Sequence, residues 1–68
     1  MKQAYVYIMS NKNRSTNYIG VTSNLDRRVL EHKAGIGSSF TSRYYLSDLL
    51  YFEPIKGIYH AIKREKQL

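Results

Sequence analysis

The sequence of 68 residues contains no cysteine and few acidic residues, with five Asp and Glu against eleven Lys and Arg. Without cysteine, neither a disulfide bond nor a thiolate metal site can stabilise the chain, which fits a reducing compartment. The sequence also has no apolar run of membrane-spanning length and no apolar signal segment at its start. These absences predict a cytoplasmic protein that has no membrane partner.

The scarcity of acidic residues gives a formal net charge of +6 and a pI near 9.8. A positive excess of this size favours polyanions, because each phosphate that a protein contacts releases condensed counterions. On charge alone, a basic protein without a nucleic-acid partner is an equally good interpretation. At this length the chain is expected to form a single domain over residues 1–68, with a modest core.

Two short segments, residues 4–10 and 17–22, alternate between two faces in the manner of β-strands. The polar residues between them are typical of a long hairpin loop. If the hairpin forms, one face carries four aliphatic side chains suited to a core, namely Val6, Ile8, Ile19 and Val21. Tyrosines then converge on the other face beside Gly20, which leaves room for the backbone of a ligand.

A first helix is expected to begin directly after Asn24, a favourable N-cap residue, and to end near Gly35. On this helix Arg28 and His32 are four residues apart, so both side chains lie along one flank of the apolar stripe. A second pair with this spacing carries opposite charges, Arg27 and Glu31.

The rest of the chain predicts one more strand and one more helix. Residues 35–47 are polar and predict a loop, with a short helical turn around residues 40–45 as an option. Residues 48–53 predict a third strand closed by Pro54, and residues 58–68 predict the last helix, after a turn at Lys56 and Gly57. The order β-β-α-β-α predicts a small α/β domain of the α+β kind, whose three-stranded, mainly antiparallel sheet is flanked by helices.

In the last helix Glu65 falls in the middle of an apolar stripe formed by Ile58, Ala61, Ile62 and Leu68. An acid that faces a core needs a partner, because an unpaired buried carboxylate is costly. A metal ion or a base such as Arg28 could be that partner, and a solvated carboxylate at a frayed helix end is the alternative.

Two tyrosine-bearing tripeptides precede these residues, Tyr-Val-Tyr at 5–7 and Tyr-Ile-Gly at 18–20. Together with Arg28, His32 and Glu65 they resemble the GIY-YIG endonuclease superfamily, in which the first tripeptide is often degenerate. The resemblance covers nearly the whole chain. It is strongest for small stand-alone bacterial members, which are similar to the N-terminal incision domain of the excision-repair nuclease.

The resemblance implies hydrolysis of DNA phosphodiester bonds, in DNA repair or DNA processing, with one divalent ion (Mg²⁺ or Mn²⁺) held by Glu65. Arg28 is expected to contact the scissile phosphate, since a guanidinium stays charged and can engage two oxygens. Tyr7, helped by His32, would accept the proton of the attacking water, although a tyrosine base must overcome a pKa near 10. Tyr18 would position the reactants.

Nonspecific contacts with the DNA backbone are expected from five cations and from the main chain at Gly20. The cations are Lys12, Arg14, Arg27, Lys33 and Arg43. The sequence contains no recognisable base-reading element. DNA recognition is therefore expected to be nonspecific or structure-specific, or to depend on a partner protein or a further domain.

The sequence departs from the family pattern at three places. Tyr5 stands where the family usually has glycine, and Val21 stands where some relatives have lysine. The sequence also ends inside the last helix, whereas relatives usually continue, which is compatible with a fragment. Gly-Ile-Tyr at 57–59 spells the first tripeptide but follows the second, so we interpret it as coincidence and give Tyr59 no catalytic role.

Two other interpretations stay open. The first is a catalytically silent nucleic-acid-binding module of the same fold. The second is a small interaction domain that assembles through the tyrosine face. Salt separates them, because a phosphate binder must lose affinity steeply as salt rises, whereas the interaction domain would bind DNA weakly and without that dependence.

Overall fold

Three strands and two helices follow one another in the order β-β-α-β-α. The computed structural model describes residues 3–35 and 44–68, so Arg43 and most of the optional helical turn lie outside the described residues. The elements are β1 (Gln3–Ser10), β2 (Asn17–Thr22), α1 (Leu25–Lys33), β3 (Asp48–Lys56) and α2 (Ile58–Gln67). This order and the sheet below confirm the predicted α+β fold.

The sheet has the strand order β2-β1-β3, and both pairings are antiparallel. The first strand of the chain is therefore the central one. Tyr7 lies opposite Gly20 on β2 and opposite Phe52 on β3. A strand with neighbours on both sides and helices over both faces must be apolar on both faces, and β1 meets this demand.

Each face of the sheet carries its own small core. On one face, Ala4 and Val6 pack with Ala61 of α2, and the partly buried neighbours are Ile19, Val21 and Ile55. On the other face, Tyr7 and Met9 pack with Leu46, and the partly buried neighbours are Tyr18, Leu25, Val29 and Leu49. Three of the four residues predicted for the aliphatic core face, Val6, Ile19 and Val21, belong to the first of these cores. The tyrosine face, expected to be open toward a ligand, is instead a second core, because α1 covers it.

The hairpin loop between β1 and β2 is held by its own polar groups. Asn11 donates a side-chain hydrogen bond to Ser15 (2.8 Å) and accepts one from the main-chain N–H of Thr16 (3.2 Å). Arg14 has a positive φ of 61°, and its guanidinium pairs with Asp48 at 2.8 Å. The loop is therefore tied to the start of β3.

Helix α1 begins and ends as predicted. The Asn24 side chain accepts a hydrogen bond from the main-chain N–H of Arg27 at 3.1 Å, which makes it the N-cap. Gly35 follows the helix with a φ of 76°, a left-handed conformation that glycine adopts without steric cost.

Strand β3 is longer than predicted, since it runs to Lys56 and does not stop at Pro54. Proline lacks an N–H for the ladder, but Pro54 lies on an edge strand of the described sheet, where this loss is tolerated. The register also shifts at Ile8 and Met9, whose partners are Tyr51 and Leu49, so the intervening residue on β3 has no partner.

Helix α2 covers the aliphatic face of the sheet, but less of its predicted apolar stripe is buried than expected. Ala61 is fully buried, whereas Ile58 and Ile62 stay 48% and 40% exposed. Glu65, one turn after Ala61, is half-buried. It therefore lies on the packed side of the helix, as its position in the pattern predicted. Neither helix in the described part of the chain has the length and apolar character to cross a membrane.

Candidate active site

Three aromatic side chains from three elements form a cluster on the α1 face of the sheet. Tyr7 comes from β1, Tyr18 from β2 and His32 from the last turn of α1. The ring centroid of Tyr7 lies 6.3 Å from that of Tyr18 and 5.8 Å from that of His32, and the third distance is 5.9 Å. The three predicted site residues are thus mutual neighbours.

Tyr7 and His32 also share a hydrogen bond, since the phenol oxygen lies 3.3 Å from Nε2 of the imidazole. Both side chains are buried, with exposures of 2% and 5%. Burial, together with a smaller contribution from the neighbouring Tyr18, raises the pKa of Tyr7 to about 12. Burial also lowers the pKa of His32 below its ordinary value, and Arg28 lowers it further. A neutral His32 can therefore accept the proton of the Tyr7 hydroxyl.

Gly20 makes room for the Tyr7 ring. A Cβ atom added at Gly20 would lie 2.5 Å from the phenol oxygen of Tyr7 and 2.9 Å from a ring carbon of Tyr18. The space that the sequence suggests for a ligand backbone is filled by a tyrosine of the chain itself. A DNA backbone at Gly20 stays a prediction, and the structure gives this glycine a packing role.

Arg28 lies beside this cluster and is held by Glu31. The guanidinium of Arg28 pairs with Oε1 of Glu31 at 3.0 Å, while Arg27 pairs with Oε2 of the same carboxylate at 3.2 Å. The predicted pair of Arg27 and Glu31 is therefore confirmed. The charge of Arg28 lowers the pKa of Tyr7 and opposes the effect of burial. Because Arg28 remains 42% exposed, its guanidinium is accessible to a phosphate.

Glu65 reaches the cluster through its charge. Its carboxylate raises the pKa of Tyr7, as Glu31 also does. Within residues 3–35 and 44–68, the Glu65 side chain has no ion pair and no hydrogen bond, so Arg28 is not its partner. Over the same residues, no three His, Asp or Glu side chains cluster as a metal-binding group.

The predicted DNA-contacting cations are spread along the chain. Lys12, Arg27 and Lys33 are exposed. The guanidinium of Arg14 is engaged by Asp48, and Arg43 lies outside the described residues. Their contacts with DNA stay a prediction. Tyr59 of the Gly-Ile-Tyr at 57–59 is 84% exposed and belongs to α2, away from the three-ring cluster.

Sequence reasoning missed two features that shape this site. The first is the ion pair between Arg28 and Glu31. The sequence pattern paired Glu31 only with Arg27, four residues before it, but a spacing of three residues also allows an ion pair on a helix. Leu46 falls in the segment predicted as a polar loop, yet it is fully buried against the α1 face. A single leucine within a polar segment carries no periodic signal, so the pattern could not identify it.

The comparison with protein families gives one match that covers almost the whole chain. A model of the GIY-YIG catalytic domain matches residues 3–68. This range includes both tripeptides and every predicted catalytic residue. No solved structure matches the chain significantly.

Several curated relatives are UPF0213 proteins. One from Natronomonas pharaonis is 36% identical over 64 residues, which is 94% of this chain and 74% of the relative. One from Staphylococcus haemolyticus is 34% identical over 68 residues, covering 100% of this chain and 82% of the relative. One from Clostridium perfringens is 38% identical over 61 residues, covering 90% of this chain and 64% of the relative.

Proposed function

Because the chain belongs to the GIY-YIG catalytic domain family, a family of DNA endonucleases, we propose that it hydrolyses DNA phosphodiester bonds with one divalent metal ion. The observation that carries this proposal is the hydrogen-bonded pair of Tyr7 and His32, next to the accessible guanidinium of Arg28. A base and a phosphate-binding cation are two of the groups that phosphodiester hydrolysis uses.

The pair of Tyr7 and His32 offers a route for the proton of the attacking water. Free phenolate is scarce near neutral pH when the pKa of Tyr7 is about 12. His32 is uncharged at that pH, and its Nε2 can accept the phenol proton while the phenol oxygen takes one from water. The proton is thus passed through Tyr7 to His32, so a phenolate does not have to form first.

Arg28 would stabilise the negative charge on the phosphate during the reaction. Two guanidinium N–H groups can engage two oxygens in a fixed geometry. The incoming phosphate would replace Glu31 as the partner of Arg28, while Arg27 keeps Glu31 paired. Tyr18, only partly buried beside Tyr7, would position the water or the phosphate.

Glu65 has the chemistry for a magnesium or manganese ion. Mg²⁺ is often held by one or two carboxylates, with water and substrate phosphate as the other ligands. The Glu65 carboxylate has no ion-pair partner in the described part of the chain, which leaves its oxygens free for that role. When bound, such an ion offsets the charge that develops on the phosphate and the leaving oxygen.

The DNA contacts, the cellular role and the source of specificity are further parts of the proposed function. We expect Lys12, Arg14, Arg27, Lys33 and Arg43 to contribute nonspecific phosphate contacts, and we expect a cytoplasmic role in DNA repair or processing. Specificity would come from the structure of the DNA or from a partner protein.

A nicking assay on supercoiled and branched DNA tests the proposal. Wild type should nick in Mg²⁺ and not in EDTA. Arg28→Ala should lower the rate about 10²- to 10³-fold, because a donor to the reacting phosphate is lost. Glu65→Ala should abolish the dependence on metal together with most of the activity. Activity that survives both substitutions would contradict the assigned site.

Two control variants on α1 each remove a charge, of the same sign as that of Arg28 or of Glu65, from an exposed position outside the proposed catalytic set. Arg27→Ala removes a neighbouring arginine that shares Glu31, and it should raise KM while leaving kcat nearly unchanged. Asp26→Asn removes an exposed carboxylate from the first turn of α1 and should leave the metal dependence unaltered.

One observation favours a silent nucleic-acid-binding module as a second candidate. Tyr7 is only 2% exposed and has a raised pKa, which makes it a poor base for water. This candidate predicts DNA binding that weakens steeply with salt, persists in EDTA and is never followed by nicking in a folded protein.

A further inference from the structure

A cleft separate from the three-ring cluster lies at the hairpin-loop end of the sheet. It has a volume of about 390 Å³, and its lining residues are Asn11, Lys12, Asn13, Tyr44, Tyr45 and Ser47. We call it the Tyr45 cleft. It shares no residue with the predicted catalytic set, and of the predicted DNA-contacting cations that the structure describes it contains only Lys12.

Tyr45 has an unusual backbone for its residue type. Its φ is 56°, a left-handed conformation that bulky side chains rarely adopt. The next residue, Leu46, is fully buried, and Ser47 donates a main-chain hydrogen bond to the carbonyl of Tyr45 at 3.0 Å. Leu46 thus anchors the turn in the core, and Tyr45 is turned outward and is 81% exposed.

The backbone conformation of this turn does not explain why residue 45 is a tyrosine. A left-handed conformation favours glycine or asparagine, and either would follow this path at lower steric cost. Strain that the fold retains at an exposed aromatic residue is a reason to look for a function. A flat aromatic ring held outward by a buried anchor is suited to stacking.

The part of the cleft that the hairpin loop lines is held by hydrogen bonds. Asn11 is hydrogen-bonded to Ser15, and Asn13 accepts a hydrogen bond from the Ser15 hydroxyl at 2.9 Å. Lys12, between the two asparagines, is exposed and carries a positive charge. An exposed aromatic ring and a cation that line the same preformed cleft match the chemistry of an unpaired nucleotide, with its flat base and its phosphate.

We propose that the Tyr45 cleft binds an unpaired nucleotide of the nucleic-acid substrate, with its base stacked on Tyr45 and its phosphate paired with Lys12. The proposal rests on the proposed function for the presence of such a substrate, and it sharpens the substrate class to DNA that contains a single-stranded segment. Asn11 lies four residues after Tyr7, which is roughly 13 Å along an extended chain. The unpaired nucleotide therefore lies a few nucleotides from the bond that is cut.

Fluorescence anisotropy without divalent metal tests the cleft apart from catalysis. The probes are a short fluorescein-labelled single-stranded oligonucleotide and a duplex of the same sequence. Tyr45→Ala should weaken single-strand binding about 5- to 100-fold, as expected for the loss of one stacked base, and should leave duplex binding nearly unchanged. Tyr45→Phe should bind like wild type, because stacking does not need the hydroxyl.

Tyr59→Ala is the matched control, because Tyr59 is equally exposed but follows Gly57 at the opposite end of the sheet. It should bind both probes like wild type. Equal weakening by Tyr59→Ala, equal weakening toward the duplex, or unchanged single-strand binding by Tyr45→Ala would each overturn the proposal. Thermal denaturation shows whether each variant is folded.

The outcomes separate this proposal from the proposed function. If wild type never nicks DNA but loses single-strand affinity through Tyr45→Ala, the cleft is supported and the catalytic proposal fails. If wild type nicks DNA while Tyr45→Ala binds single strands normally, the catalytic proposal is supported and the cleft fails.

Discussion

The two faces of the sheet are closed by helices that bury different chemistry. Under α2 the buried side chains are small and aliphatic, Ala4, Val6 and Ala61. Under α1 a phenol and an imidazole share the interior with Met9 and Leu46. The aliphatic side chains contain no polar group that burial would desolvate. On the α1 face, burial raises the pKa of Tyr7 and lowers the pKa of His32. The core under α2 therefore has no titratable side chain among its buried residues, whereas the α1 face buries two, Tyr7 and His32.

The largest expected effect comes from removing one oxygen from the α1 face. Tyr7→Phe keeps the ring but removes the hydroxyl on which the proposed proton route depends, so we expect nicking to fall about 10²- to 10⁴-fold. Stability should change far less than activity, since the packed ring remains. Single-turnover nicking measures the activity, and thermal denaturation measures the stability. Val6→Ala, on the aliphatic face, should lower the stability and leave the activity nearly unchanged. Equal losses of activity in both variants would contradict a catalytic role that is specific to the α1 face.

The next largest effect comes from adding one carbon to the α1 face. Gly20→Ala would place its Cβ 2.5 Å from the Tyr7 oxygen, so the ring must move. We expect a loss of about 1–3 kcal/mol in the free energy of unfolding, as for other overpacked cores. Urea denaturation measures the loss.

Val21→Ile is the matched control for this substitution. It adds a methyl group at the next residue of β2, whose side chain lies on the opposite face and is only partly buried. Its cost should be smaller than that of Gly20→Ala. An unchanged stability of Gly20→Ala would show that the Tyr7 ring is not held against this glycine.

Alkaline pH should weaken the α1 face selectively. The pKa of Tyr7 is about 12 in the folded protein and about 10 in the unfolded chain. The stabilising effect of the buried neutral phenol is therefore complete below pH 10 and is lost as the pH rises toward 12, where the unfolded chain releases its proton first. The free energy of unfolding of wild type should fall relative to that of Tyr7→Phe across this range. Parallel curves for the two proteins would contradict the burial of the phenol.

The smallest expected effect lies on the α2 face. Arg64 pairs with Glu53 at 2.8 Å and clips α2 to β3, but both side chains retain contact with solvent. Arg64→Ala should therefore cost less than about 1 kcal/mol, and this cost should shrink as salt rises. Chemical denaturation at low and high salt measures the loss of stability and its dependence on salt. A larger loss that is independent of salt would mean that Arg64 stabilises the helix through packing.

Most of the fold follows from local patterns in the sequence. Asn24 and Gly35 place the ends of α1 because capping depends on a few neighbouring residues. The end of β3 does not follow, because the tolerance for Pro54 depends on which strand lies at the edge of the sheet. Edge positions are set by long-range pairing, which a local pattern does not encode.

The sequence predicts which residues belong to the candidate site but not how they contact one another. The tripeptides, Arg28 and His32 supply the candidates, and the structure brings Tyr7, Tyr18 and His32 together. The partner of Arg28 and the use of the space at Gly20 depend on side-chain packing between elements. The sequence does not indicate Tyr45 as a candidate. What distinguishes this residue is its positive φ, and tyrosine is a residue type that rarely has one.

The central position of β1 has a consequence for the newly made chain. One neighbour of β1 follows within a short hairpin, but the other, β3, is made much later, and Gln3 finally pairs with Lys56. Until then, one edge of β1 keeps its main-chain hydrogen-bonding groups open beside the apolar residues 4–9. Such an edge is a template for strand addition from another chain. We therefore expect this strand to be where nascent or partly unfolded molecules associate, and where a chaperone would have most to protect.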